Sequence, residues 1–67
     1  MALFKITARS EPDQFAESEP EARTIARQMA LAATKTFGRP YLAMIEQQES
    51  DGSWSEVGCV SPWNSSE

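Results

Sequence analysis

Hydrophobic and polar positions alternate from Ala2 to Arg9: Phe4, Ile6 and Ala8 interleave with Lys5, Thr7 and Arg9. A period of two predicts a strand. From Ser10 to Glu17 the chain is rich in charge and broken by Pro12, which reads as a loop whose Phe15 folds back over the core. The period then changes. Ala22, Ile25, Ala26, Met29, Ala33 and Phe37 recur on one face at 100° per residue, predicting an amphipathic helix.

The ends of that helix are marked by residue type. Ser18 and Glu21 form an S-x-x-E capping box, in which the hydroxyl accepts from the Glu21 N–H. Pro20 stands in the first turn, where its missing N–H costs nothing, and Glu19 and Glu21 suit the positive end of the helix dipole. Gly38 supplies a left-handed residue after Phe37, and Pro40 prevents continuation. The far side of the helix carries Arg23, Arg27 and Lys35, with Leu31 among them.

Tyr41 to Gln48 and Ser53 to Val60 read as a second and third strand joined through Asp51-Gly52, a hairpin signal. With those two residues as the turn, Ala43 faces Val60, Met44 faces Cys59, Glu46 faces Val57 and Gln47 faces Glu56. The expected fold is α+β, in the order β-α-β-β. One amphipathic helix packs on a three-stranded antiparallel sheet of strand order 2-3-1, and Lys5 or Arg9 meets Glu56 on the outer face. The domain spans residues 1–61, and 62–67 form a polar tail in which Trp63 is a candidate anchor.

The hairpin is apolar on both faces, whereas a half-buried strand needs only one apolar face. Leu42, Met44, Val57 and Cys59 are expected in the core with Phe4 and Ile6, because Gln47, Glu56, Lys5, Thr7 and Arg9 lie on the opposite side. Tyr41, Ile45, Trp54 and Val60 are then left outside the sheet. With Leu31 on the helix, they are the candidate exposed apolar interface.

Size and composition narrow the function. At 67 residues the chain is one domain near the lower limit for an unaided core. Cys59 is the single cysteine and there is no histidine, so an internal disulfide is excluded and a structural zinc is not expected. Association with a partner or a second copy is the remaining source of stability. The absence of an imidazole base, of a Gly-rich phosphate loop and of a cation beside Cys59 leaves no catalytic residue, no metal ligand and no cofactor to assign. The chain is expected not to be an enzyme. A lone thiol and the lack of a leader or a membrane span suggest the cytoplasm.

Ten carboxylates against six basic side chains give a formal charge of −4. That disfavours direct nucleic-acid binding and favours a protein partner with a basic surface. The acids are clustered: Glu11, Asp13, Glu17, Glu19 and Glu21 in one stretch, Glu46, Glu49, Asp51 and Glu56 in another. Glu11, Asp13, Glu17, Glu46, Glu49, Asp51 and Glu56 are the candidate partner-binding residues.

A short acidic chain with a first strand (Ala2 to Arg9), an Ala-rich helix (Glu21 to Phe37) and a hairpin (Tyr41 to Val60) resembles the small phage-encoded anti-CRISPR proteins. The likeness covers nearly the whole chain as layout and composition, and no motif carries it. It implies a stoichiometric inhibitor that binds a Cas effector subunit and blocks its nucleic-acid-binding surface. Two other readings stand beside it: a homodimeric phage or bacterial accessory protein, and a weak nucleic-acid binder using Arg23, Arg27, Lys35 and Arg39.

Overall fold

The computed structural model describes residues 3–62. Five elements follow in order: β1 (Phe4–Ala8), β2 (Glu11–Ala16), α1 (Glu19–Phe37), β3 (Ala43–Gln48) and β4 (Trp54–Val60). The four strands form one antiparallel sheet of order β2-β1-β3-β4, with α1 packed on one side. The α+β class and the single helix agree with the sequence reading. The three-stranded sheet of order 2-3-1 does not.

The difference begins at β2, where a loop was expected. Arg9 and Ser10 make a two-residue reversal, with Ser10 in the left-handed region at φ 61°. Glu11–Ala16 then runs back along β1, pairing Ala16 with Phe4 and Phe15 with Lys5. Pro12 fits because β2 is an edge strand, where a missing N–H removes no ladder bond. It also lies at a bulge: Pro12 and Asp13 together stand opposite Thr7.

The centre of the sheet is β1 against β3, not β1 against the last strand. Phe4 pairs with Gln47, Lys5 with Glu46, Ile6 with Ile45 and Thr7 with Met44. These two strands hold the largest fully buried side chains, Ile6 and Ile45. Placing them side by side under the helix buries both.

The helix forms as its ends dictate. Ser18 is extended (φ −141°, ψ 156°) and its hydroxyl accepts from the Glu21 N–H at 3.4 Å. Gly38 adopts φ 73°, and its N–H donates to the Thr34 carbonyl at 2.8 Å. Ala22, Ala26, Met29, Ala30 and Ala33 are buried, and the small side chains let the helix lie close to the sheet. Ile25 packs at the margin of this core. Phe37 instead lies 39% exposed and meets Tyr41 edge-on at 5.2 Å between centroids.

The β3–β4 connection runs over residues 49–53 with Ser50, Asp51 and Gly52 at its tip, one residue more than the expected Asp51-Gly52 turn. Gly52, at φ 91°, donates its N–H to the Glu49 carbonyl at 3.0 Å, and the Glu49 N–H donates to the Ser53 carbonyl at 2.7 Å. Asp51 locks the turn by accepting from the Ser53 N–H at 3.0 Å and its hydroxyl at 2.7 Å. Beyond the turn, Val57 is an extra residue in β4. Ala43 faces Val60 and Met44 faces Cys59 as expected, but Glu46 faces Glu56 and Gln47 faces Ser55.

Pro62, the first residue of the expected tail, is buried. Trp63 lies outside the described residues.

Candidate functional site

The sheet has two faces, and the structure exchanges the residues expected on them. Ile45 is 0% exposed, and Ala43 and Val60 are buried under the helix. Leu42 is 54% exposed and Met44 41%, on the side the helix does not cover, and Cys59, paired with Met44, is also exposed. Ile45 and Val60 are therefore core residues, and Leu42, Met44 and Cys59 are not. Tyr41 is half-buried against Phe37 instead of lying on the open sheet face. Val57 does pack against the core, because the bulge at that position turns it inward. Trp54 stays on the outer face and Leu31 stays exposed on the helix, as expected.

The outer face has two parts. Toward the β3–β4 turn it is a cluster of aromatics and charge. Lys5, central on β1, puts its ammonium 3.7 Å from a Glu46 carboxylate oxygen and 4.7 Å from the Trp54 ring centroid. Trp54 leans across the sheet to Phe15 of β2, with 6.3 Å between centroids. Phe15 is thus 52% exposed on the outer face rather than folded over the core. Lys5 meets Glu46 rather than Glu56, because β1 neighbours β3. Farther from the turn, Leu42, Met44 and Cys59 form the apolar part, beside Thr7.

The seven candidate carboxylates are not one surface. Glu46 is half-buried and held by Lys5. Glu56 stands across from it, exposed. Asp13 lies two positions before Phe15 and is exposed. Glu11 faces the helix side, in a shallow groove with Gln14, Ile25 and Met29. Glu17 borders a second depression with Leu3, Phe15 and Glu21. Glu49 accepts from the Ser55 hydroxyl. Asp51 is fully exposed, and the two Ser53 hydrogen bonds hold its carboxyl below the ordinary value of 3.8.

The sheet register nevertheless sorts charge by end. Phe4 pairs with both Ala16 and Gln47. The chain leaving Ala16 (Glu17, Glu19, Glu21) and the chain leaving Gln47 (Glu49, Asp51) therefore share one end of the sheet. At the other end, the Arg9 guanidinium lies 5.6 Å from the Phe37 and Tyr41 rings, beside the helix terminus that carries Lys35 and Arg39. Of the cations expected on a basic helix stripe, Arg23 is paired with Glu19 at 2.9 Å. That leaves Arg27 and Lys35 as the helix cations with no carboxylate at this distance among the described residues.

Among the described residues no helix is long and apolar enough to cross a membrane, and no group of three or more candidate ligands could hold a metal ion. Compared with known proteins, the chain matches no family model, no curated protein and no solved structure.

Proposed function

We propose that this chain is a non-enzymatic binding protein that docks on a protein partner through the outer face of its sheet. The observation that carries the reading is the uncovered apolar part of that face, Leu42, Met44 and Cys59. Apolar side chains surrounded by charge are the profile of an interface core and rim. Trp54 and Phe15 supply aromatic area at its edge, and Trp is the residue type most often found as a binding hot spot. Glu56 and Asp13 are exposed on the rim, and with the carboxylates at the turn end they favour a partner with a basic surface.

The specific form of this reading is a stoichiometric inhibitor, an anti-CRISPR acting in a bacterial cytoplasm on a Cas effector subunit. Its support is the small acidic chain and the rim charge. The fourth strand, β2, departs from the β-α-β-β layout that suggested the resemblance. The experiment is a cleavage assay with purified CRISPR effector and increasing amounts of this chain. Block of cleavage at a one-to-one ratio, relieved by Leu42→Asp with Met44→Asp, supports the inhibitor. Uninhibited cleavage across effector types removes that form of the reading.

A further inference from the structure

The sheet ends on two edges of opposite character. The β2 edge is guarded against further pairing: it carries Pro12, a bulge at Pro12 and Asp13, and two carboxylates in its first three residues. The β4 edge is seven residues long and contains no proline and no cation, with Glu56 as its single charge. Among the described residues, the bulge at Val57 is its one guard.

Backbone directions on β4 follow from two hydrogen bonds. The Gln48 N–H donates to Leu3, toward β1, and the Glu49 N–H donates to Ser53, toward β4. Successive residues of an antiparallel strand point their N–H and C=O groups to opposite sides. Ser53 and Ser55 therefore turn their groups inward to β3, and Trp54 and Glu56 turn theirs to the free edge. The extra residue at Val57 shifts the phase by one, which places the Cys59 N–H and C=O on the free edge as well.

The geometry points to a second copy of this chain as the occupant of the β4 edge, paired strand to strand about a two-fold axis into one eight-stranded sheet. Two-fold pairing of a strand with itself is antiparallel. It brings the β3–β4 turn of one copy (Glu49, Asp51) to the end of the joined sheet where the other copy carries Lys35 and Arg39, so charges of opposite sign share each end. The core also favours association. Among the described residues, six of the eleven buried apolar ones are alanines, and the largest fully buried side chains are two isoleucines. Such a core holds little apolar volume, and domains near this size are marginal on their own. The outer face is left open in this dimer, so the inference stands independently of the docking reading.

The test combines sedimentation equilibrium with amide hydrogen exchange on the unaltered chain. The expected mass at high concentration is twice 7.4 kDa. The Glu56 and Cys59 amides should exchange about tenfold more slowly in the dimer than in dilute solution. A monomer at every concentration overturns the proposal. So does a dimer in which those two amides keep their dilute exchange rate, or protection that appears only when another protein is added. Cys59→Pro removes an N–H that β3 does not use, so it should give a folded monomer; a folded C59P dimer contradicts the seam. If C59P fails to fold, the exchange measurement on the unaltered chain decides. Leu42→Asp should leave the dimer intact while weakening partner binding, which separates failure of this inference from failure of the docking reading.

Discussion

The ammonium of Lys5 lies 4.7 Å from the centre of the Trp54 ring, although their strands are separated by β3. Lys5 is also the cation beside Glu46, whose cross-strand neighbour is another carboxylate, Glu56. One side chain therefore contacts both the indole and one of two facing carboxylates.

Replacing Lys5 should release both contacts. Lys5→Gln is expected to cost about 1 kcal/mol in urea unfolding, the scale of a partly exposed cation–π contact plus a cross-strand pair. Tryptophan fluorescence should shift to the red as Trp54 lifts. An unchanged midpoint and spectrum would show that the contact carries nothing.

The two faces of β3 should respond oppositely to truncation. Ile45→Ala removes a side chain that is 0% exposed, with an expected loss of about 2–5 kcal/mol. Leu42→Ala, at a residue 54% exposed, should stay within about 0.5 kcal/mol. Equal losses at both positions would contradict the assignment of faces.

Asp51 gives a pH signature. Its folded carboxyl titrates below the ordinary 3.8 because Ser53 donates two hydrogen bonds to it. A depressed acid contributes stability that is present above its unfolded value and is lost as pH falls through the folded value. Ser53→Ala removes the hydroxyl donor, so the Asp51 carboxyl should titrate closer to 3.8 by NMR. The turn should then lose less stability on acidification below that pH. An unmoved Asp51 titration would assign the shift to the backbone N–H alone.

Gly52 sits at φ 91°, where a side chain is strained whatever the free space around it. Gly52→Ala should cost about 1 kcal/mol in thermal unfolding. Pro12→Ala, at an edge strand bulge, should change stability little and weaken the guard on the β2 edge. Increased self-association of that variant at high concentration is the readout.

Much of the fold was legible because local chemistry dictated it. Ser18 and Gly38 cap the helix. The Met44–Cys59 and Ala43–Val60 pairings expected from a two-residue Asp51-Gly52 turn occur because the extra residue at Val57 offsets a turn one residue longer. Two features were hidden. Strand β2 reads as a loop because an edge strand exposes most of its side chains and tolerates Pro12. Its signal was weak: Gln14 and Ala16 alternate with Asp13 and Phe15, and Phe15 lies opposite Lys5. The face assignment failed because β3 is apolar on both sides, so periodicity gives the alternation but not its sense. Polar neighbours do not settle the sense either. Lys5 and Glu46 do lie outside, but so do Leu42 and Met44, which share that face two and four positions away. The Val57 bulge then reversed the phase of β4 near the turn. The candidate surface was legible as a consequence, one uncovered apolar face, and its membership was not.

The proposed docking surface is the open side of the sheet that carries Leu42 and Met44. The most direct measurement is calorimetric titration of a captured partner with the unaltered chain and with Leu42→Asp/Met44→Asp, beside an unfolding curve for each. The double variant should bind more weakly by about a hundredfold or more, the scale of losing a hot spot, with an unfolding midpoint close to that of the unaltered chain. Equal affinity from a folded double variant would contradict it.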